Sequence, residues 1–316
     1  MVQAEAKQKI LLESGTNEVE ILEFFLGGQS YGINVSKILQ IITYDEEFFT
    51  QTPETPPAMP GVLLWRNETI PFINLYTTLN IHSKVEVERP VALVTEFNNL
   101  ICAFLIDGVN RIHRISWDKM DSMDPFLDQF SAKVTGSVHV DDKDVLLIDF
   151  EYIVAELFPA TKLGYGDAII LPENVTKEMR GSRKIVLAED SPFIRHAILE
   201  LMHKAGYSTV SEFENGQIAY DHLMDLKQTI TDESVDATDH LDLIITDIEM
   251  PRLDGLTLCR RIKDDTVLGQ TPVIIFSSLI NEQMGIKCQE VGSDAHITKP
   301  QMGILVDTLD KLLFGK

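Results

Sequence analysis

The chain has 316 residues, with 27 Lys+Arg against 49 Asp+Glu, a formal net charge of −22. At roughly 150 residues per domain that length suggests two domains, and 44% hydrophobic with 24% charged residues is a globular rather than a disordered composition. Residues 1–180 (14 basic, 27 acidic) and 181–316 (13 basic, 22 acidic) are both acidic, so neither has the cationic surplus that displaces counterions from phosphates, and nucleic-acid binding is disfavoured.

Cys102, Cys259 and Cys288 are too scattered for a disulfide framework and read as buried free thiols. The apolar runs Leu100–Ile106 and Val273–Phe276 fall far short of the ~20 residues that span a bilayer. The opening, broken by Glu5, Lys7 and Lys9, has no signal-peptide pattern. The expected location is the cytoplasm, without membrane insertion.

In chain order, short strand-like runs come first: Val19–Leu26, Tyr31–Val35, Gly61–Trp65, Thr69–Leu75, Pro90–Glu96, Leu100–Asp107, Val134–Val140 and Asp144–Asp149. They are rich in β-branched and aromatic residues, with turn signals at Gly27-Gly28, Asn98-Asn99 and Asp141-Asp142. Apolar residues at 35, 38, 39 and 42 predict a helix over Val35–Ile42, and Phe150–Phe158 predicts a second. Thr52–Pro60, with four prolines, reads as an exposed loop. Trp65 and Met59 beside it fit either packing or a partner surface. His82, His113 and His139 have no metal-ligand spacing.

Residues 161–182 lack any sustained period and read as a linker. Beyond them strands alternate with helices: Lys184–Ala188, Pro192–Ala205, Ser208–Phe213, Gln217–Thr229, Leu241–Asp247, Leu256–Lys263, Pro272–Ser277, Glu282–Val291, Ala295–Thr298 and Ile304–Leu313. Five strands and five helices imply a doubly wound parallel sheet. The segment Gln228–His240, with four acids and no Lys or Arg, reads as a solvated loop.

Ligands of such sheets bind at the carboxyl ends of the strands. There the first strand runs into Glu189-Asp190, the third into Asp247, the fourth into Ser277-Ser278 and the fifth into Lys299. Two carboxylates about 4 Å apart repel by about 4 kcal/mol at an effective dielectric of ~20. Three together call for a cation, and all-oxygen ligands suit Mg²⁺ or Mn²⁺ rather than Zn²⁺. An Asp so placed can attack phosphorus while the cation and Lys299 neutralise the transferring group.

The stretches LAEDSPFIR, ITDIEMPRLDGL, IIFSS and HITKP closely resemble the receiver domain of two-component response regulators over Ser182–Lys316. Asp247 to Ser277 spans 30 residues and Ser277 to Lys299 spans 22, as in receivers. The resemblance implies Asp247 as phosphoacceptor, with Mg²⁺ (or Mn²⁺) held by Glu189, Asp190, Asp247 and the backbone carbonyl of Glu249. Ser277 would follow the phosphoryl group and Lys299 would pair with it. His296 stands where many receivers place an aromatic switch residue, which makes Ser277 and His296 the implied switch. A haloacid-dehalogenase-type phosphatase is the rival reading. That family wants Asp two residues after its nucleophile, where Glu249 stands, and its acidic metal pair after the nucleophile rather than before it.

The first half, in LEFFLGGQSYGINVSKILQII, PPAMPGVLLWRNETIPFINL and VTGSVHVDDKDVLLIDFEYIV, resembles the CheW-type chemotaxis adaptor over about Val19–Phe158. That resemblance implies an all-β pair of small five-stranded barrels that joins chemoreceptor tips to a CheA-type histidine kinase. Arg66 matches an Arg of the family and is a candidate partner contact. The combination is the layout of CheV-type coupling proteins, which KILLESGTNEVEILEF near the start also resembles. The expected organisation is an N-terminal extension (1–16), a CheW-like adaptor (17–160), a linker (161–182) and an α/β (βα)5 receiver (183–316). The expected function is a non-enzymatic coupling adaptor at membrane-bound receptor arrays, tuned by phosphorylation of Asp247. The alternative is a phosphate sink that drains the kinase without altering coupling.

Overall fold

The computed structural model describes residues 18–83, 85–97, 100–122, 133–158, 175–233, 235–280, 282–299 and 302–315. The expected N-terminal extension, residues 161–174 of the linker and the Asn98-Asn99 turn lie outside them. The chain divides into two compact units, and no helix among the described residues is long and apolar enough to cross a membrane.

The N-terminal unit is built on β1 (Glu18–Leu26), β2 (Gln29–Asn34), β3 (Ile38–Thr43), β4 (Phe49–Gln51), β5 (Gly61–Trp65), β6 (Glu68–Asn74), the single-turn α1 (Leu75–Thr78), β7 (Val91–Phe97), β8 (Leu100–Ile106), β9 (Gly108–Ser116), β10 (Met120–Ser122), β11 (Val134–Val140), β12 (Lys143–Ile148) and α2 (Phe150–Leu157). They form two sheets, ordered β10-β11-β12-β2-β1-β9 and β3-β7-β8-β6-β5-β4. Each has five longer strands, as expected, plus one three-residue strand, β10 or β4. Gly27 (φ 63°) and Gly28 (φ 82°) close the β1–β2 hairpin, since both central residues of such a turn need the left-handed region. Both sheets and α2 share one core: Phe150 stacks on Phe97 and meets Phe104 edge-on, with ring centroids 6.0 and 4.8 Å apart.

The expected helix over Val35–Ile42 is not formed. Val35–Lys37 makes one 3-10 turn capped by Asn34, and Ile38–Thr43 is β3, paired antiparallel with β7. The 35-38-39-42 spacing mimics a helix, but Ile38, Ile41 and Ile42 are β-branched, and pairing with β7 supplies the ladder bonds that decide the outcome. The loop Thr52–Pro60 lies between β4 and β5 and is half-buried to exposed throughout.

The C-terminal unit comprises α3 (Lys177–Gly181), β13 (Lys184–Ala188), α4 (Pro192–Ala205), β14 (Thr209–Phe213), α5 (Gly216–Glu233), β15 (Leu243–Thr246), α6 (Gly255–Lys263), β16 (Val273–Ser277), α7 (Glu282–Glu290), β17 (Ala295–Thr298) and α8 (Met302–Phe314). All five strands are parallel in the order β14-β13-β15-β16-β17. Every residue of β15 and β16 is buried, the pattern of strands covered on both faces, and it explains their unbroken apolar runs.

Two expectations change here. The segment expected as linker contains α3, whose Arg180 is buried within this unit. The segment expected as a loop, Gln228–His240, begins as helix: α5 continues to Glu233 because Ile230, 3% exposed, packs into the core. Asp236 then caps a 3-10 turn at Ala237–Asp239.

Candidate functional site

The strand order switches direction around β13, so the crevice for a ligand lies beyond the carboxyl ends of β13 and β15. Three carboxylates meet there. Ligand oxygens of Glu189, Asp190 and Asp247 all lie within 4.8 Å of one another; Glu189 and Asp247 are buried and Asp190 half-buried. The register that aligns Ala188 with Thr246 delivers Glu189 and Asp247 side by side, and the Asp247 amide donates to the Ala188 carbonyl at 2.9 Å.

Lys299 follows β17 and is 2% exposed. Its Nζ donates to Asp247 Oδ2 at 2.7 Å and to Glu189 Oε1 at 3.2 Å. The Ile248 amide donates to Asp247 Oδ1 at 2.6 Å, so one carboxylate oxygen is turned toward backbone and the other toward the lysine. Ser277 ends β16, fully buried, and its carbonyl accepts from the Lys299 amide at 3.3 Å. Its Oγ accepts from the Leu279 amide at 3.4 Å.

One lysine against three carboxylates leaves the cluster anionic, and oxygen-only donors this close suit a hard divalent cation. The residues present therefore fit Mg²⁺ by number, type and spacing. Glu249 is half-buried in the turn after Asp247. His296 lies in β17 against α7, where a Cβ on Gly285 would sit 3.1 Å from its Nε2; glycine leaves room for the imidazole.

Two residues without an expected role shape the site. Gly255 opens α6 with its amide bonded to the Ile248 carbonyl at 3.0 Å, and a Cβ there would lie 1.7 Å from the Asp247 carbonyl oxygen. Arg195, on the first turn of α4, donates from Nη1 to the Glu189 carbonyl at 2.7 Å. The signal for Gly255 is its place after the Asp254 cap; that for Arg195 is a cation at a helix N-terminus, which the dipole disfavours.

Among the residues singled out in the first half, Trp65 is 8% exposed in the core of the second sheet, and its Nε1 donates to Gln40 at 3.0 Å; packing accounts for it. Arg66 is exposed at φ 48°, with its guanidinium 4.5 Å over the Trp65 ring and a bond to Gln40 at 3.2 Å. His113 is buried against Glu23 and His139 pairs with Asp144 at the surface. The three cysteines are buried free thiols, each pushed up to about 12 by burial.

The CheW-like domain family matches residues 20–158, and the response regulator receiver domain family matches residues 185–310. The chain is a CheW-like domain joined to a receiver domain. Chemotaxis protein CheV3 of Helicobacter pylori is 28% identical over 314 residues, covering 94% of this chain and 95% of its own length. CheV2 of the same organism is 24% identical over 312 residues, with the same coverage of each chain. The solved scaffolding protein TtCheW from Thermoanaerobacter tengcongensis is similar at 20% identity over 45% of this chain and 90% of its own, with a TM-score of 0.41. With both domains in this order, the chain has the composition of a CheV-type chemotaxis coupling protein.

Proposed function

We propose that the chain couples chemoreceptor cytoplasmic tips to a CheA-type histidine kinase through its CheW-like domain, and that phosphorylation of Asp247 in the receiver tunes the coupling. The observation that carries this reading is the cluster of Glu189, Asp190 and Asp247, the first and last of them buried and bonded to the Lys299 ammonium, which lies 2.7 Å from Asp247. The adaptor spans 17–160, and the receiver begins with α3 rather than at 183. On this reading the chain works in the cytoplasm at the receptor array, without substrate turnover of its own.

In the proposed step an Asp247 carboxylate oxygen attacks the phosphorus of the kinase's phosphohistidine. A P–O bond forms, the P–N bond breaks, and the imidazole leaves with the electron pair and takes a proton. Glu189, Asp190, Asp247 and the Glu249 carbonyl would hold Mg²⁺, which supplies Lewis-acid neutralisation of the phosphoryl oxygens. The Lys299 ammonium orients the Asp247 carboxylate in the resting site, and then pairs with the new phosphoryl group. Ser277, at the neighbouring strand end, donates its hydroxyl to the same group. The added charge of about −1.5 to −2 rearranges Ser277, Lys299 and, through β17, His296, which shifts the receiver between two states. Arg66, exposed at the end of β5, is a proposed contact of the adaptor domain with its partners.

The test is reconstitution of receptor, kinase and adaptor, comparing wild type with Asp247→Asn, with and without beryllofluoride as phosphoryl mimic. Wild-type coupling that changes with the mimic while the variant's does not supports regulation. Coupling indifferent to the mimic in both proteins favours the phosphate sink.

A further inference from the structure

Arg195 is a cation in an unfavourable place. It sits on the first turn of α4, where the partial positive charge of the helix N-terminus disfavours arginine and where the turn itself carries no acid. Its side chain is 17% exposed and turns back toward the acidic strand end. Nη1 donates to the Glu189 carbonyl at 2.7 Å and reaches the Asp190 carbonyl at 3.5 Å, while Nε donates to Glu212 Oε2 at 3.1 Å. Glu212 is on β14, opposite Leu187 of β13. One planar guanidinium thus joins α4, the end of β14 and the peptide groups that carry Glu189 and Asp190.

The same turn is held from other sides. The Glu189 amide donates to the Phe213 carbonyl at 3.0 Å, and the Ser191 amide donates to Glu189 Oε1 at 3.2 Å. Arg195 attaches to the carbonyls of residues 189 and 190 and so bears on the tilt of the peptide planes that carry both carboxylates. Mg²⁺ demands near-ideal octahedral geometry, so a small rotation of either plane misplaces a ligand oxygen. Groups that orient metal ligands from behind typically govern ten- to a hundredfold in affinity.

We propose that Arg195 is a positioning residue for the divalent-cation site, holding the Glu189–Asp190 turn so that both carboxylates face Asp247 in a geometry Mg²⁺ accepts. The proposal rests on the phosphoryl-acceptor reading above. Its electrostatic consequence has a definite sign. A guanidinium acting only through charge would repel the cation, and its removal would tighten binding. A guanidinium acting through geometry is lost at the expense of affinity.

The experiment is calorimetric titration of the full chain with MgCl2 alone, and with MnCl2 in parallel. The proteins are wild type, Arg195→Ala, Arg195→Lys and Glu212→Gln, with thermal unfolding of each recorded without metal. Arg195→Ala is expected to weaken Mg²⁺ binding by about 10- to 100-fold. Arg195→Lys, which keeps a donor but loses the fork, is expected to fall between the two. Glu212→Gln leaves both carbonyl bonds possible and is expected to weaken binding less than Arg195→Ala. Lysine restoring part of the affinity while the metal-free unfolding temperatures of Arg195→Ala and Arg195→Lys agree confirms positioning. Arg195→Ala binding Mg²⁺ as tightly as wild type, or more tightly, overturns it. Should Arg195→Ala not fold, Arg195→Lys alone decides: undiminished affinity overturns the proposal. Failure of wild type itself to bind Mg²⁺ overturns the reading of the site, and is seen without any variant.

Discussion

Arg180 and Asp310 are each 1% exposed and meet side-on, Nε to Oδ1 at 2.9 Å and Nη2 to Oδ2 at 2.6 Å. The Tyr207 hydroxyl donates to the same Oδ1 at 2.6 Å, and burial, reinforced by Asp310, pushes its phenol above the ordinary range. Arg180 is on α3 and Asp310 on α8, so the segment that looks like linker is pinned to the last helix of the receiver.

Removing one partner of such a pair strands the other charge without water. Asp310→Ala is therefore expected to cost about 3–5 kcal/mol. Arg180→Met combined with Asp310→Leu is expected to cost less than either single loss. Urea unfolding followed by helical circular dichroism measures both. A receiver that begins at Ser182, without α3, leaves Asp310 stranded in the same way and should be comparably weakened.

Glu23 anchors the adaptor domain in a different manner. Burial raises its carboxyl, but bonds from Lys143, Ser30, His113 and Asn110 outweigh burial and hold it at about 2, against a usual value of 4.5. A depressed carboxyl contributes stability that is fully present above the unfolded-state value and is lost as pH falls through the folded one. The adaptor domain should lose this contribution between about pH 4.5 and 2. Glu23→Gln should flatten its unfolding midpoint against pH across that window. An unchanged acid limb in the variant contradicts the assignment.

Gly255 is the backbone constraint on Asp247, the proposed phosphoacceptor. A Cβ there would meet the Asp247 carbonyl oxygen at 1.7 Å and its carbon at 2.7 Å, and backbone atoms cannot step aside as a flexible side chain can. Gly255→Ala is expected to cost about 3 kcal/mol, the upper end for overpacking, and to slow phosphoryl acceptance together with Mg²⁺ uptake. A variant that unfolds at the wild-type urea midpoint contradicts the close approach.

Much of the receiver was legible because its chemistry is local. Strands buried on both faces read as continuous apolar runs; Glu189-Asp190 and Asp247 follow two of them and Ser277 ends a third, while Lys299 follows the shorter, half-buried β17. The adaptor domain was harder. Ile38–Thr43 carries a spacing that suits either period, and only its partner β7 decides. No expectation covered Gly108–Ser116, because Asn110, Arg111 and Ile112 are all exposed and give no alternation. The Arg180–Asp310 pair lies 130 residues apart in sequence, and neither residue alone signals burial. Arg195 stands in the LAEDSPFIR stretch, yet its attachment to the Glu189 carbonyl is a tertiary fact.

The most direct measurement is phosphoryl transfer from phosphorylated CheA-type kinase to the full chain in the presence of Mg²⁺, with wild type and Asp247→Asn compared and receptor binding assayed alongside. The wild type should take up phosphoryl rapidly, and the adduct should be released by hydroxylamine, as an acyl phosphate is. Asp247→Asn should take up none while it binds receptor as wild type does. Incorporation into Asp247→Asn at the wild-type rate would contradict the account.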